Sequence, residues 1–229
     1  HTRTVMGNLP AQVDPRQLGR ISKKAGARIG EMLPILAALH DIGKPIAVRQ
    51  GMKGRQHEAT IPILQRVMKD QGFTDREVEI ATALVDNDIL GDLLRGRIDA
   101  RQAWDQLTEQ SKRARMHMGD FFTLLTAFYK ADAGSYPAVR SEVFLEDPTG
   151  TLRIPNVEFG ILEEAIHGEV RDLSWLERLD AQRAEAGGNG RDRGSAFVHG
   201  AAVEFGEFDE AKDSGRNLVG PGVYLLDAS

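Results

Sequence analysis

The chain has 229 residues, 41% of them hydrophobic and 28% charged, and a net charge of −5. That balance is ordinary for a soluble globular protein, and the acidic excess argues against a duplex nucleic acid held through its phosphates. Having no cysteine excludes disulfides, thiolate zinc sites and a cysteine nucleophile and fits a cytoplasmic protein, while no apolar run nears the roughly 18 residues of a membrane span.

In chain order the pattern is helical. His1–Leu9 reads as the tail of a helix. The chain opens without an initiator Met, as expected of a fragment or an excised domain. Pro10 and Pro15 are expected to break the next stretch. Apolar Ile29, Met32, Leu33, Leu36 and Leu39 recur on one face and predict a helix over 27–42, with a kink or a later start because of Pro34. Gly43 and Pro45 are expected to stop it, and 50–56 reads as a mobile loop. A helix is predicted over 57–69, then one capped by Thr74 with Glu77 three residues on, a capping box. Residues 99–115 predict a polar helix and 118–132 a strongly apolar one that Tyr136-Pro137 closes. Helices over 158–166 and 175–184 complete this unit.

Glycines and charges between Ala186 and Ser195 then read as a linker, with a boundary near residue 188. Beyond it the period changes, and 196–200 and 222–226 read as short strands.

The chemistry concentrates where the apolar run ends, in Leu39-His40-Asp41-Ile42-Gly43-Lys44-Pro45. A neutral imidazole and a carboxylate stand side by side, with a cation close by. His1, His40, Asp41 and Asp132 form a mixed nitrogen and oxygen donor set that suits Mn, Fe, Mg, Zn or Ni without selecting one. Asp132 lies at the end of the most apolar helix, where an unpaired carboxylate is costly. His117 and His167 read as surface or capping histidines, and Asp120 as a helix-start carboxylate. Arg49, Lys53 and Arg55 are placed either to steer an anion towards Lys44 or to form a solvated loop.

His1-Thr2-Arg3, His40-Asp41 before Ile42-Gly43-Lys44, His57-Glu58 and Ala131-Asp132 together resemble the H…HD…D signature of the HD-domain metal-dependent phosphohydrolases, over roughly residues 1–180. The resemblance implies a mainly α, HD-like helical bundle over 1–187. His1, His40, Asp41 and Asp132 would be its metal ligands, Lys44 would meet the substrate phosphate, and His57 would line the site or bind a second metal. His57 or Asp88 would carry the proton. Many members have a further histidine, or a His-His pair, after the position of His57. Here Leu84-Val85-Asp86-Asn87-Asp88 stands in that place, which leaves a binuclear site in doubt or makes Asp86 or Asp88 its ligand. The Gly-Tyr-Pro extension of the cyclic-di-GMP branch is absent, and the spacing is closer to the HD domains attached to RNA nucleotidyltransferases. The implied function is metal-dependent hydrolysis of a nucleotide-like phosphoester. The alternative is a non-catalytic nucleotide-binding or scaffolding module.

After the linker at 188–195, the segment 196–229 resembles the start of an ADP-ribosyltransferase domain. It carries Phe197-Val198-His199-Gly200, Phe205-Gly206-Glu207-Phe208-Asp209 and Gly220-Pro221-Gly222-Val223-Tyr224. His199 would then hold the ribose and amide of NAD, and Tyr224 would stack on its nicotinamide. The sequence ends before a catalytic glutamate, so this segment by itself is not expected to transfer ADP-ribose.

Overall fold

A computed structural model describes residues 1–52 and 55–168, with positions 177 and 181 besides. The expected helix over 175–184, the linker, the segment 196–229, its strands, and the NAD-binding roles of His199 and Tyr224 lie outside these residues. The described part is mainly helical. The helices are α1 (Thr2–Asn8), α2 (Pro15–Ala25), α3 (Ile29–Leu39), α4 (Lys44–Arg49), α5 (Gln56–Asp70), α6 (Asp75–Val85), α7 (Ile89–Leu94), α8 (Ala100–Arg113), α9 (Met118–Ala133), α10 (Pro137–Val143) and α11 (Val157–His167). Between α10 and α11 runs one antiparallel ribbon of β1 (Leu145–Glu146) and β2 (Leu152–Arg153), paired Leu145 to Arg153 and Glu146 to Leu152. Among the described residues no helix is long and apolar enough to cross a membrane.

The prolines act differently from the expectation. Pro15 opens α2 at its first position, where a missing N–H is harmless, and the Asp14 carboxylate accepts from Arg16 N at 2.9 Å as the cap. Pro45 likewise begins α4, so Gly43-Lys44-Pro45 is a stop followed at once by a start. Pro34 stays inside α3, where it forfeits only the bond to the carbonyl of Gly30. Helix α9 ends at Ala133, before Tyr136, and Pro137 opens α10.

Helix α9 organises the core. It buries Phe121, Phe122, Leu124, Leu125 and Phe128, and α1, α3, α7, α8 and α11 pack on it. Helix α3 buries Ile29, Met32, Leu33 and Leu36 against α1, α2, α5, α6 and α9. The C-terminal ends of α3 and α9 come together beside the first residue of α1. A smaller cluster of Ala133, Val139, Phe144 and Leu152 seats the ribbon beside the end of α9. Gln12, in the 3-10 turn Leu9–Gln12, holds the ribbon down: its amide donates to the Gly150 carbonyl and accepts from Leu152 N, each at 2.9 Å.

The capping box is present. Glu77 accepts from Thr74 N at 2.8 Å, and Thr74 Oγ1 accepts from Glu77 N at 3.3 Å. Glu77 also takes the Nε and Nη2 of Arg28 at 2.9 and 3.0 Å, joining the start of α6 to the start of α3. Its side chain is 2% exposed. The Arg28 guanidinium and these bonds hold the carboxyl down at about 2 against the opposing effect of burial. The stability this lends is complete above the ordinary glutamate value of 4.5 and is lost as pH falls towards 2. Glu77→Gln is expected to lower unfolding free energy at pH 7 by about 2–3 kcal/mol. Urea titrations should show a shallower dependence of stability on pH between 4.5 and 2 in the variant than in the parent.

Candidate metal centre

Three of the sequence-selected side chains, His1, His40 and Asp132, meet at one point, with Asp41 beside the two imidazoles. His40 caps the end of α3, Asp41 follows in the turn, His1 precedes α1, and Asp132 sits in the last turn of α9. His1 Nε2 lies 3.4 Å from His40 Nε2 and 3.0 Å from Asp132 Oδ1. His40 Nε2 lies 3.1 Å from the same oxygen. Asp41 Oδ2 is 3.3 Å from His1 Nε2 and 3.4 Å from His40 Nε2. Ligand atoms about 2.1 Å from a cation stand about 3.0 Å apart as octahedral neighbours and about 3.4 Å apart as tetrahedral ones. The spacings among His1, His40 and Asp132 therefore fit a single divalent ion, and Asp41 stands beside the two imidazoles, outside that group of three.

The surrounding hydrogen bonds fit it as well. His40 Nδ1–H donates to the Ala37 carbonyl at 2.9 Å, a tautomer that leaves Nε2 with its lone pair towards the cluster. His1 Nδ1 meets Ser135 Oγ at 2.8 Å, which leaves its Nε2 facing the same point. The His1 ring lies against Tyr136, with centroids 4.6 Å apart, and the edge of Phe128 supports His40 at 5.5 Å.

Electrostatics favour positive charge here. Burial opposes a proton on His40, but the bonds to Asp132 and Asp41 outweigh it and lift its pKa to about 10. The same carboxylates raise His1 against its own burial. Burial pushes the Asp41 and Asp132 carboxyls up, yet the two imidazoles hold both below the ordinary range. A field that draws protons onto both imidazoles would equally hold a divalent cation, with the imidazoles then neutral.

Lys44, at the start of α4, bonds Asp41 Oδ2 at 2.7 Å, and burial opposes its charge while Asp41 sustains it. The Tyr136 hydroxyl is 3.4 Å from His1 Nε2, and its pKa is pushed up to about 12, by burial first, so it remains a donor. Helix α7 packs on α9. Asp88 caps α7 and pairs with Arg95. Its side chain is 54% exposed, and desolvation raises its carboxyl against the pull of Arg95. The charge of Asp132 raises it further.

The other selected residues lie elsewhere or do other work. His57 stands half-buried in the first turn of α5, and among the described residues no hydrogen bond, ion pair or ring contact joins it to the cluster. Asp86 is tied to Arg113 Nη1 at 2.5 Å and to Gln110 at 3.3 Å, which directs it to α8 and gives no support to a second metal. His117 caps α9 by accepting from Gly119 N at 3.3 Å, and Asp120 pairs with Lys24 at 2.8 Å. Arg55 pairs with Glu58 at 3.3 Å, and Lys53 lies outside the described residues.

Sequence reasoning missed Ser135 and Tyr136 as site residues. They follow Asp132 by three and four positions, about one helical turn, and that spacing was the available signal. It also missed why Gly43 is glycine. A Cβ there would stand 2.4 Å from Thr60 N, and Gly43 N donates to Thr60 Oγ1 at 3.1 Å. The turn that carries Asp41 thus lies directly against α5.

Comparison with known protein families, curated proteins and solved structures finds no match.

Gly43→Ala is expected to lower stability by about 1–3 kcal/mol, because backbone must move to admit the methyl. Gly160→Ala, with nothing within 4 Å of the added methyl in α11, should instead stabilise by about 0.5–1 kcal/mol. Chemical denaturation of the two variants checks the contrast.

Proposed function

We propose that the helical unit is an HD-type metal-dependent phosphohydrolase or phosphodiesterase acting on a nucleotide-like phosphoester. The single observation that carries this reading is the convergence of His1, His40 and Asp132 on one point, with Asp41 beside both imidazoles and both imidazole Nδ1 atoms engaged elsewhere. A divalent cation held there would polarise a phosphoryl oxygen and lower the pKa of a water. The protein's own groups supply the rest. Lys44 remains charged beside Asp41 and offsets the charge of the substrate phosphate. The Tyr136 hydroxyl donates from the same side. Asp88, whose carboxyl burial raises while Asp41 is held low, protonates the leaving oxygen. His57 is the other proton carrier suggested by the sequence; among the described residues no hydrogen bond or ion pair joins either it or Asp88 to the cluster.

The test is hydrolysis of bis(p-nitrophenyl) phosphate and of thymidylyl-thymidine by the full chain with Mn²⁺. His40→Ala and Asp132→Ala should each lose at least about 100-fold in rate, and Mn²⁺ should no longer raise their melting temperatures. Asp88→Asn should slow the dinucleotide, whose alkoxide leaving group needs a proton, far more than the p-nitrophenyl ester. Full activity in His40→Ala would sink the reading. A melting temperature raised by Mn²⁺ without turnover of any phosphoester would instead favour a nucleotide-binding module.

A further inference from the structure

We propose that Ser135 is the positioning residue that turns the His1 ring towards the cluster, so that its hydroxyl sets how tightly a divalent cation is held there. This rests on the reading of His1, His40 and Asp132 as a cation site.

The two imidazoles come from opposite ends of their helices. His40 closes α3, and its Nδ1–H donates to the Ala37 carbonyl at 2.9 Å. That carbonyl is one of the spare acceptors at a helix end, so α3 by itself fixes the ring. The His40 side chain is only 5% exposed. His1 instead precedes α1, and its carbonyl accepts from Thr4 N and Val5 N at 2.8 and 3.1 Å. Its main chain is thereby pinned, but a helix start offers spare N–H groups and no spare carbonyl. An Nε2 free to meet a cation requires the proton on Nδ1, and α1 gives that proton no acceptor. With 23% of its side chain exposed, the ring has water to turn towards.

Ser135 supplies the missing acceptor. Its Oγ lies 2.8 Å from His1 Nδ1, across 134 positions of sequence. The same residue is tied to Asp132, whose carbonyl accepts from Ser135 N at 2.9 Å. One serine therefore joins two of the three converging residues, one through its main chain and the other through its hydroxyl. Tyr136 lies against the His1 ring, with centroids 4.6 Å apart. A ring contact holds the plane of an imidazole but does not choose which nitrogen faces the cluster. The bond to Ser135 makes that choice.

The backbone that delivers the hydroxyl is itself braced. A Cβ at Gly134 would meet Leu152 Cδ1 of β2 and stand 2.5 Å from the Lys130 carbonyl oxygen. Arg140 Nη1 donates to the Gly134 carbonyl at 3.3 Å, and Arg140 Nε donates to Glu146 of β1 at 2.9 Å. Helix α10 and the ribbon thus clamp the residue just before Ser135.

The experiment uses the full chain and the variants Ser135→Ala, Ser135→Thr and Ser141→Ala. Ser141 is the control, since its hydroxyl donates to carbonyls of its own helix α10. Calorimetric titration with Mn²⁺ gives the Kd, and ¹³C relaxation of the imidazole Cε1 atoms gives ring motion in the metal-free chain. Ser135→Ala should weaken Mn²⁺ binding about 10–100-fold, and Ser135→Thr, which keeps the hydroxyl, should stay within about threefold of the parent. The His1 ring should become mobile in Ser135→Ala while His40 stays rigid, and Ser141→Ala should match the parent in both readouts. An unchanged Kd in Ser135→Ala overturns the proposal, as does equal weakening in Ser135→Ala and Ser141→Ala, which would mark a general loosening. Should Ser135→Ala fail to fold by circular dichroism, Ser135→Cys, a weaker acceptor, is held to the same loss. If no form of the chain binds Mn²⁺, the cation reading falls, and the relaxation of the His1 ring still decides whether Ser135 holds it.

Discussion

Two carboxylates placed within bonding distance of two imidazoles govern this structure. Neither Asp41 nor Asp132 would be tolerated at the ends of apolar helices without positive charge nearby. The imidazoles provide it by taking protons, and a divalent ion would provide it more compactly. The helices α3 and α9 must therefore end at the same place, and α1 must begin there. The rest of the bundle can be understood as the packing that keeps those three ends in register. Phe128 supports His40, Ser135 and Tyr136 hold His1, and Thr60 pins the turn after Asp41.

Much of this was legible in the sequence. The apolar stripe of α3, the capping box of α6 and the apolar run of α9 all gave their elements. The candidate donor set was readable because unlike residues recur at the ends of apolar segments, where solvated side chains have least reason to be. The prolines were half read: α3 and α9 do end ahead of Pro45 and Pro137, but these two, like Pro15, also open the next helix. Local sequence reports that proline cannot continue a helix, and only the neighbouring cap or turn tells which side the helix lies on. The short α4, α7 and α10 were missed for a related reason: six or seven residues are too few to show a period. The ribbon at 145–153 was missed because two-residue strands have no alternation to read.

The pairing of Asp88 with Arg95 was the least legible part. Asp88 was noticed through its neighbours in Leu84–Asp88, but Arg95 was not, because its relation to Asp88 crosses a whole short helix. What joins them is the absence of a side chain at Gly91, and an absence carries little signal in a single sequence. Asp86 and Asp88 look equivalent in the chain, yet they are separated by their partners, one turned to Arg113 on α8 and the other to Arg95 on α7.

The amide of Gln12 has a consequence beyond fastening. Its nitrogen and oxygen meet the Gly150 carbonyl and the Leu152 N–H as a third strand's peptide group would. The outer margin of β2 is thereby occupied by the protein's own side chain. A ribbon so sealed offers no template there for a neighbouring molecule to extend, which removes one route to self-association.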